Sequence, residues 1–297
     1  MGAALAEASA VARDVFGEVD EALGQSLFRL MRDGPEDQLK LTENAQPAIM
    51  ALSAAMFASL TREGGVDLAR AAGFVAGHSL GEYSALAAAG SFDLATTAKL
   101  LKLRGRAMQA AVPVGVGAMA ALLGTDLELA RRIAAAAAEG EVCEVANDND
   151  PSQVVISGHK AAIDRAIEIA REMGAKRAIA LPVSAPFHCS LMRPAAEAMD
   201  EALAAITIRP PIVPLFANVT AAAEADPATI HKLLVEQVTG MVRWRESVAN
   251  MAAAGVEEFV ELGGKVLGPM VKRIAPDARV TSVMTIADIE ALAREIA

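Results

Sequence analysis

The chain has 297 residues, 54% of them hydrophobic, and carries a net charge of −10 at neutral pH. That much apolar material can bury a large core, and it argues for one large domain or for one domain with a subdomain. The acidic balance, with aromatic residues at only 3%, argues against nucleic acid as a partner, because a phosphate backbone calls for a basic face and single strands call for stacking platforms. Cys143 and Cys189 stand without Cys-x-x-Cys or Cys/His spacing, which fits a reducing compartment and a site without metal. The opening "MGAALAEASAVARD" has Glu7 inside its apolar run and no basic start, which argues against a signal peptide. The longest uncharged run, residues 107–125, has the length of a membrane span, but Pro113, Gly115 and Gly117 break its middle, so no membrane segment is expected.

The spacing of Leu5, Ala8, Val11, Val15, Val19 and Leu23 predicts a helix over residues 3–23, so the chain opens on a helix rather than a strand. A second helix is predicted from Pro47 to about Leu60. The short apolar run "GFVAG" then reads as a buried strand running into Gly77-His78-Ser79-Leu80-Gly81, with helical stretches at 80–89 and 94–111 behind it. Beyond "VPVGVG" the pattern changes. A strand (118–123), a helix (127–138), strands near 142–146 and 154–157, a helix (161–173) and a strand near 177–183 follow in the order βαββαβ, the ferredoxin-like arrangement. The expected fold is therefore α/β. A hydrolase-like body with a parallel sheet and a nucleophile elbow, made of residues 1–113 and 185–297, carries an inserted ferredoxin-like subdomain at 114–184. The later strands of the body are "PLFAN" (214–218) and "EEFVEL" (257–262).

Gly-x-Ser-x-Gly between a strand and a helix is the pattern of a nucleophile elbow, where a strained turn lifts the serine oxygen clear and aims backbone N–H groups at a developing oxyanion. Ser79 is the candidate nucleophile; the alternative is a small residue in a tight connection. A serine at its ordinary pKa needs a base, and the chain has 4 histidines. His78 adjoins the serine and points to the other side of an extended chain. His159, in "SGHK", reads as a surface loop, and His231, in "TIHKLL", sits on a helix beside Lys232. His188, in "PVSAPFHCSLM", lies at a strand end among apolar residues that can keep its ring dry, and is the favoured base. Two other matches are weaker. Gly115-x-Gly117-x-x-Ala120 follows a helix end and leads into a strand, the reverse of a dinucleotide fingerprint. "LGGKVLG" has Phe259 and Val266 where a phosphate loop needs glycine and a hydroxyl residue.

The segments "GHSLGEYSALAAAG", "LKLRGRAMQ", "NDNDPSQVVISG", "PVSAPFHCSLM" and "ELGGKVLGPMVKRI", in this order and across nearly the whole chain, resemble the malonyl-CoA:acyl carrier protein transacylases of fatty-acid synthesis. The resemblance implies a ping-pong acyl transfer without a cofactor. Ser79 takes malonyl from malonyl-CoA as an ester, and the pantetheine thiol of acyl carrier protein removes it. It implies His188 as the base, oriented by a backbone carbonyl from the "MVRW" stretch around Arg243 rather than by an acidic side chain. It implies Arg104 as the holder of the free malonyl carboxylate, with Gln46 of "NAQPA" lining the pocket and Phe187 paired with the base. Leu80, whose N–H serves the oxyanion, and His78 beside the nucleophile complete the implied substrate-binding set.

An arginine suits that task physically. Its planar fork binds a carboxylate bidentately, and a substrate without that group leaves a buried charge unpaired; without the resemblance, Arg104 in "KLLKLRGR" reads as a surface cation. Acyl carrier proteins are themselves acidic, so the basic groups at 99–106, at Lys176 and Arg177, and at Lys272 and Arg273 are expected to converge on the mouth of the cleft. The expected setting is a cytoplasmic monomer acting with malonyl-CoA and acyl carrier protein, and with neither nucleic acid nor membrane. Members of the family begin with a strand and a Gly-Gln-Gly-Ser-Gln stretch whose glutamine N–H completes the oxyanion hole. Met1 and Gly2 align just after it, so an inner strand and one oxyanion donor are expected to be missing, a loss worth about 10²–10³ in kcat. Two other readings stay open. One is a serine esterase or thioesterase, which shares the elbow but recruits an Asp or Glu; the other is a carrier-protein-binding module without catalysis.

Overall fold

The computed structural model describes residues 1–183 and 185–296. Its strands are β1 (Val75–Ala76), β2 (Gly117–Leu123), β3 (Cys143–Asp150), β4 (Gln153–His159), β5 (Arg177–Ala180), β6 (Leu215–Ala217), β7 (Ala222–Glu224), β8 (Glu258–Leu262) and β9 (Arg279–Val283). The parallel sheet expected of the body takes the form of two separate parallel pairs, β1 with β6 and β8 with β9. β7 extends the first of them antiparallel to β6.

β2 to β5 form an antiparallel sheet in the order β3-β4-β2-β5. With the helices Leu127–Ala138 and Lys160–Glu172 between them, this is the expected ferredoxin-like order. Both helices are amphipathic. Ala130, Ile133, Ala134 and Ala137 of the first, and Ala162, Ile163, Ala166 and Ala170 of the second, cover one face of the sheet at Ala120, Leu122, Val154 and Ile156. The alternate residues of the same strands, Met119, Ala121 and Val155, turn to the opposite face and meet Phe187 and Leu181. Period-two alternation thus gives the sheet one face for its own helices and one for the segment that carries His188. β5 stops at Ala180, short of the expected Val183, because Pro182 has no N–H to give to a ladder. Ser184, at the expected end of the subdomain, lies outside the described residues.

The main core gathers the helices Ala10–Leu23, Thr42–Ala58, Leu94–Ala111, Arg193–Ala204 and Pro227–Thr239. The single helix expected over 3–23 is two, Ala3–Ala8 and Ala10–Leu23. Ser9 between them is extended, and its hydroxyl caps the Ala12 N–H at 3.0 Å while bonding Ser59 and Glu63, so tertiary partners favour a break where periodicity predicts none. The helix expected to start at Pro47 starts at Thr42 and takes Pro47 inside. It lies close against Leu94–Ala111 at Gly105, where a Cβ would stand 2.5 Å from the Glu43 Cα. That approach sets Arg104 beside Gln46.

Candidate active site

Ser79 stands between β1 and the helix Gly81–Ala88 with φ 53°, a left-handed conformation that a serine adopts only under constraint. The turn is tight enough that a Cβ on Gly77 would lie 2.0 Å from the Gly81 carbonyl carbon and oxygen. Asn218, at the end of β6, holds it in place. Its Oδ1 accepts the Ser79 N–H at 2.8 Å and its Nδ2 donates to the Gly77 carbonyl at 2.8 Å. With the Ser79 N–H spent on Asn218, the next amide, Leu80, lies at the N-terminal end of Gly81–Ala88, where helix N–H groups lack intrahelical acceptors. This is the position expected of an oxyanion donor.

His188 brings Nε2 to 2.7 Å from Ser79 Oγ, and its Nδ1 lies 2.9 Å from the Gln237 carbonyl. A carbonyl only accepts, so Nδ1 carries the proton and Nε2 is free to take the serine proton. Burial, joined by the positive charge of Arg104, pushes the His188 pKa down to about 3, against the hydrogen bond to Gln237. The ring is therefore neutral at physiological pH, the state a general base needs.

Arg104 is 1% exposed. Its Nη1 donates to Gln46 Oε1 at 2.8 Å, and its Nη2 donates to Gln237 Oε1 at 2.8 Å and to Ser79 Oγ at 3.1 Å. All three acceptors are neutral, and Nε has no partner. Gln46 is buried and is itself held by Thr42. Below this layer lies Glu82, fully buried, whose Oε2 accepts from Gln237 Nε2 at 2.5 Å and whose Oε1 has no partner. Burial pushes its carboxyl up to about 7, against the hydrogen bonds from Gln237 and Asn218 and the charge of Arg104. Cys189, beside the base, donates to the Pro186 carbonyl, and burial pushes its thiol up to about 11, which leaves it in the unreactive protonated form.

Ser79, His188, Arg104, Gln46 and Leu80 thus come together, with Phe187 half-buried between the main core and the inner face of the β2–β5 sheet. His78 Nε2 lies 2.9 Å from Asn149 Oδ1, and its ring packs against Trp244. The carbonyl that orients the base belongs to Gln237 and not to the stretch around Arg243. Gln237 sits in the last turn of Pro227–Thr239, where carbonyls lack intrahelical N–H donors and are free to accept from other groups. Arg243 instead pairs with Glu246 and donates to the Val219 carbonyl. His159 is not in a surface loop; it ends β4, and its Nδ1 accepts the Val142 N–H. His231 bonds Asp200 on the far helix. The basic groups are largely engaged within the chain: Lys102 and Arg106 share Glu43, Arg273 pairs with Asp150, and Lys272 donates to the Ala278 carbonyl.

Asn218, Gln237 and Glu82 are the site residues that the sequence reading missed. Glu82 and Asn218 do stand inside the quoted stretches "GHSLGEYS" and "PLFAN"; Gln237 lies in an ordinary amphipathic helix and left no signal. Among the described residues no group of three or more His, Cys, Asp or Glu side chains could hold a metal ion. No helix among them is long and apolar enough to cross a membrane.

The family model described as acyl transferase domain matches residues 1–266. The malonyl CoA-acyl carrier protein transacylase of Escherichia coli strain K12 is 44% identical over 275 residues, covering 92% of this chain and 88% of that protein. The crystal structure of the acyl-carrier-protein-S-malonyltransferase from Bartonella henselae superposes with a TM-score of 0.97 at 50% identity, covering 100% of this chain and 94% of that one. A malonyl-transacylase solved in complex with a type II PKS acyl-carrier protein superposes at 0.95 with 38% identity, covering 99% and 94%. An elbow serine, a buried histidine oriented by a carbonyl and an arginine at the nucleophile accompany these likenesses, and the chain belongs to the acyl transferase domain family and, within it, to the malonyl CoA-acyl carrier protein transacylases.

Proposed function

We propose that this chain moves a malonyl group from malonyl-CoA to the pantetheine thiol of acyl carrier protein through an ester on Ser79. In the first half-reaction His188 Nε2 takes the serine proton as Oγ attacks the thioester carbonyl. The Leu80 N–H meets the oxygen that becomes negative, and collapse breaks the C–S bond and returns the proton to the departing CoA thiol. The second half-reaction runs the same steps in reverse with the carrier thiol as attacking group, so one base serves both.

The observation that carries the reading is Arg104, a buried cation 3.1 Å from Ser79 Oγ whose hydrogen-bond acceptors are neutral. Such a group gains most from an anion delivered to the same place, and a malonyl ester on Ser79 delivers a carboxylate there. The carbonyl on His188 Nδ1 favours this over the esterase reading, which would place an acid at that position. The same reading makes the chain a cytoplasmic monomer that needs no cofactor and whose malonyl transfer serves fatty-acid chain elongation.

The test is intact-mass spectrometry after mixing with malonyl-CoA, followed by addition of holo carrier protein. A malonyl adduct that passes to the carrier is the expected result. Release of free malonate with no transfer would favour the esterase, and carrier binding with no adduct would favour the binding module.

A further inference from the structure

We infer that Glu144, on the ferredoxin-like sheet, is a positioning residue for the base. The inference rests on His188 acting as that base and concerns what holds it there.

His188 has φ 58°, and a non-glycine residue stays in the left-handed region only where its surroundings over-determine it. On its N-terminal side, the Phe187 N–H donates to the Ala185 carbonyl and the Cys189 thiol donates back to the Pro186 carbonyl. On its C-terminal side the fastening comes from another sheet. Glu144 Oε2 accepts the Ser190 N–H at 2.9 Å, and Oε1 accepts the Ser190 hydroxyl at 2.7 Å. Both oxygens of one carboxylate therefore hold Ser190, one by its backbone N–H and one by its hydroxyl, two residues past the imidazole, and charge-assisted bonds of this kind are the stronger ones.

β3 is a suitable anchor because it also touches the other parts of the site. Ala146 and Asp148 exchange backbone hydrogen bonds with Val242, just beyond the Gln237 carbonyl, and Asn149 bonds His78 next to the nucleophile. One strand is thus the common reference for three segments of the site, and Glu144 is the side chain that ties the base to it.

Removing that carboxylate lets residues 188–190 relax away from the 2.7 Å approach to Ser79. A displacement of about 1 Å caused far from the chemistry can cost about 10² in rate. Glu144 bonds Ser190, while Arg104 and Gln46 bond one another and other residues, so the loss belongs in kcat and not in KM. A cavity of about 280 Å³ opens beside the contact, lined by Glu144, Ser190, Arg193, Glu236 and Thr239 among others. Water can therefore enter when the side chain is shortened.

The experiment measures single-turnover malonylation of Ser79 and the downfield proton resonance of His188 Nδ1–H in Glu144→Ala, Glu144→Gln and Ser190→Ala. Arg273→Ala, which strips Asp150 on the same strand of its partner, controls for lost stability. We expect the rate to fall roughly 10–10²-fold in Glu144→Ala, and less in Glu144→Gln and Ser190→Ala, which keep part of the contact. KM should stay unchanged and the Nδ1 resonance should shift or broaden, while Arg273→Ala keeps both rate and resonance. If Glu144→Ala does not fold, Glu144→Gln and Ser190→Ala carry the test. A wild-type rate and resonance in the Glu144 and Ser190 variants, with His188→Ala inactive, overturn this inference alone. An equal rate loss in Arg273→Ala at an equal drop in melting temperature also overturns it. A wild-type rate in His188→Ala overturns the reading of the base and this inference together.

Discussion

Arg104 and Ser79 set what the site can distinguish. The guanidinium is held by the amide oxygens of Gln46 and Gln237 and reaches the nucleophile with one nitrogen. A malonyl carboxylate replaces neutral contacts with a charged one, whereas an acetyl group leaves the cation as it was. Arg104→Ala should therefore lower kcat/KM for malonyl-CoA by about 10²–10⁴, in line with about 3–5 kcal/mol for breaking a buried charged pair. Acetyl-CoA should lose far less. The ratio of the two kcat/KM values is the measurement, and an unchanged ratio would show that Arg104 does not read the carboxylate. Arg104→Lys should recover only part of the preference, since a point charge lacks the fork. Ser79→Ala should give no malonyl adduct by intact mass, and an adduct on that variant would remove Ser79 from its role. Arg104 reads by spacing as a surface cation, and its role follows only from the resemblance; Ser79 and His188 were legible because each sits in a local pattern, an elbow and a base among apolar residues. Asn218 and Gln237 were not, because their task exists only once the chain has folded. Asn218 clamps the turn from 139 residues away and Gln237 reaches the Ser79 carbonyl from 158 residues away, and neither separation leaves a trace in spacing.

The strand, turn and helix around Ser79 show how an element is set by one residue and indifferent to its neighbour in the same motif. A Cβ on Gly77 would overlap the Gly81 carbonyl, while a Cβ on Gly81 would meet nothing within 4 Å. Gly77→Ala should thus prise the turn open, and it belongs among the severe substitutions of more than about 4 kcal/mol. Gly81→Ala should hold the melting temperature or raise it by the equivalent of up to about 1 kcal/mol, because alanine is the better helix former at the start of Gly81–Ala88. Thermal melting of the two variants checks both, and a Gly77→Ala protein that melts with the wild type would show the turn to be looser than its geometry. At this scale the βαββαβ stretch was the most legible part, since amphipathic helices and alternating strands follow each other at regular intervals. The Leu127–Ala138 helix was placed to the residue. The break at Ser9 was not legible, because the hydroxyl and carboxylate that favour it, Ser59 and Glu63, come from another helix.

For the molecule as a whole, two of the titratable groups buried at the site, His188 and Glu82, pull stability in opposite directions with pH. His188 sits at about 3 against an ordinary 6.5, so its contribution is fully present above 6.5 and is lost as pH falls through the folded value. Glu82 sits at about 7 against an ordinary 4.5, so its contribution is fully present below 4.5 and is lost as pH rises through 7. Between 4.5 and 6.5 the two slopes oppose one another, and the wild type should show little pH dependence from this pair. Glu82→Gln removes one side of the balance. The amide keeps an oxygen for the Gln237 and Asn218 N–H groups that now bond Oε2, but it cannot ionise. Surface carboxylates titrate alike in both proteins and cancel in the comparison. The stability of the wild type relative to Glu82→Gln should therefore fall as pH rises from 4.5 to 7, by about 3 kcal/mol at 1.36 kcal/mol for each unit of pKa difference. The variant by itself should gain stability with pH across 4.5 to 6.5 from the uncompensated His188. Paired denaturant melts in a buffer series from pH 4 to pH 8 measure this directly. Parallel curves for the two proteins would mean that the Glu82 carboxyl titrates alike in the folded and the unfolded chain, and that burial does not raise it.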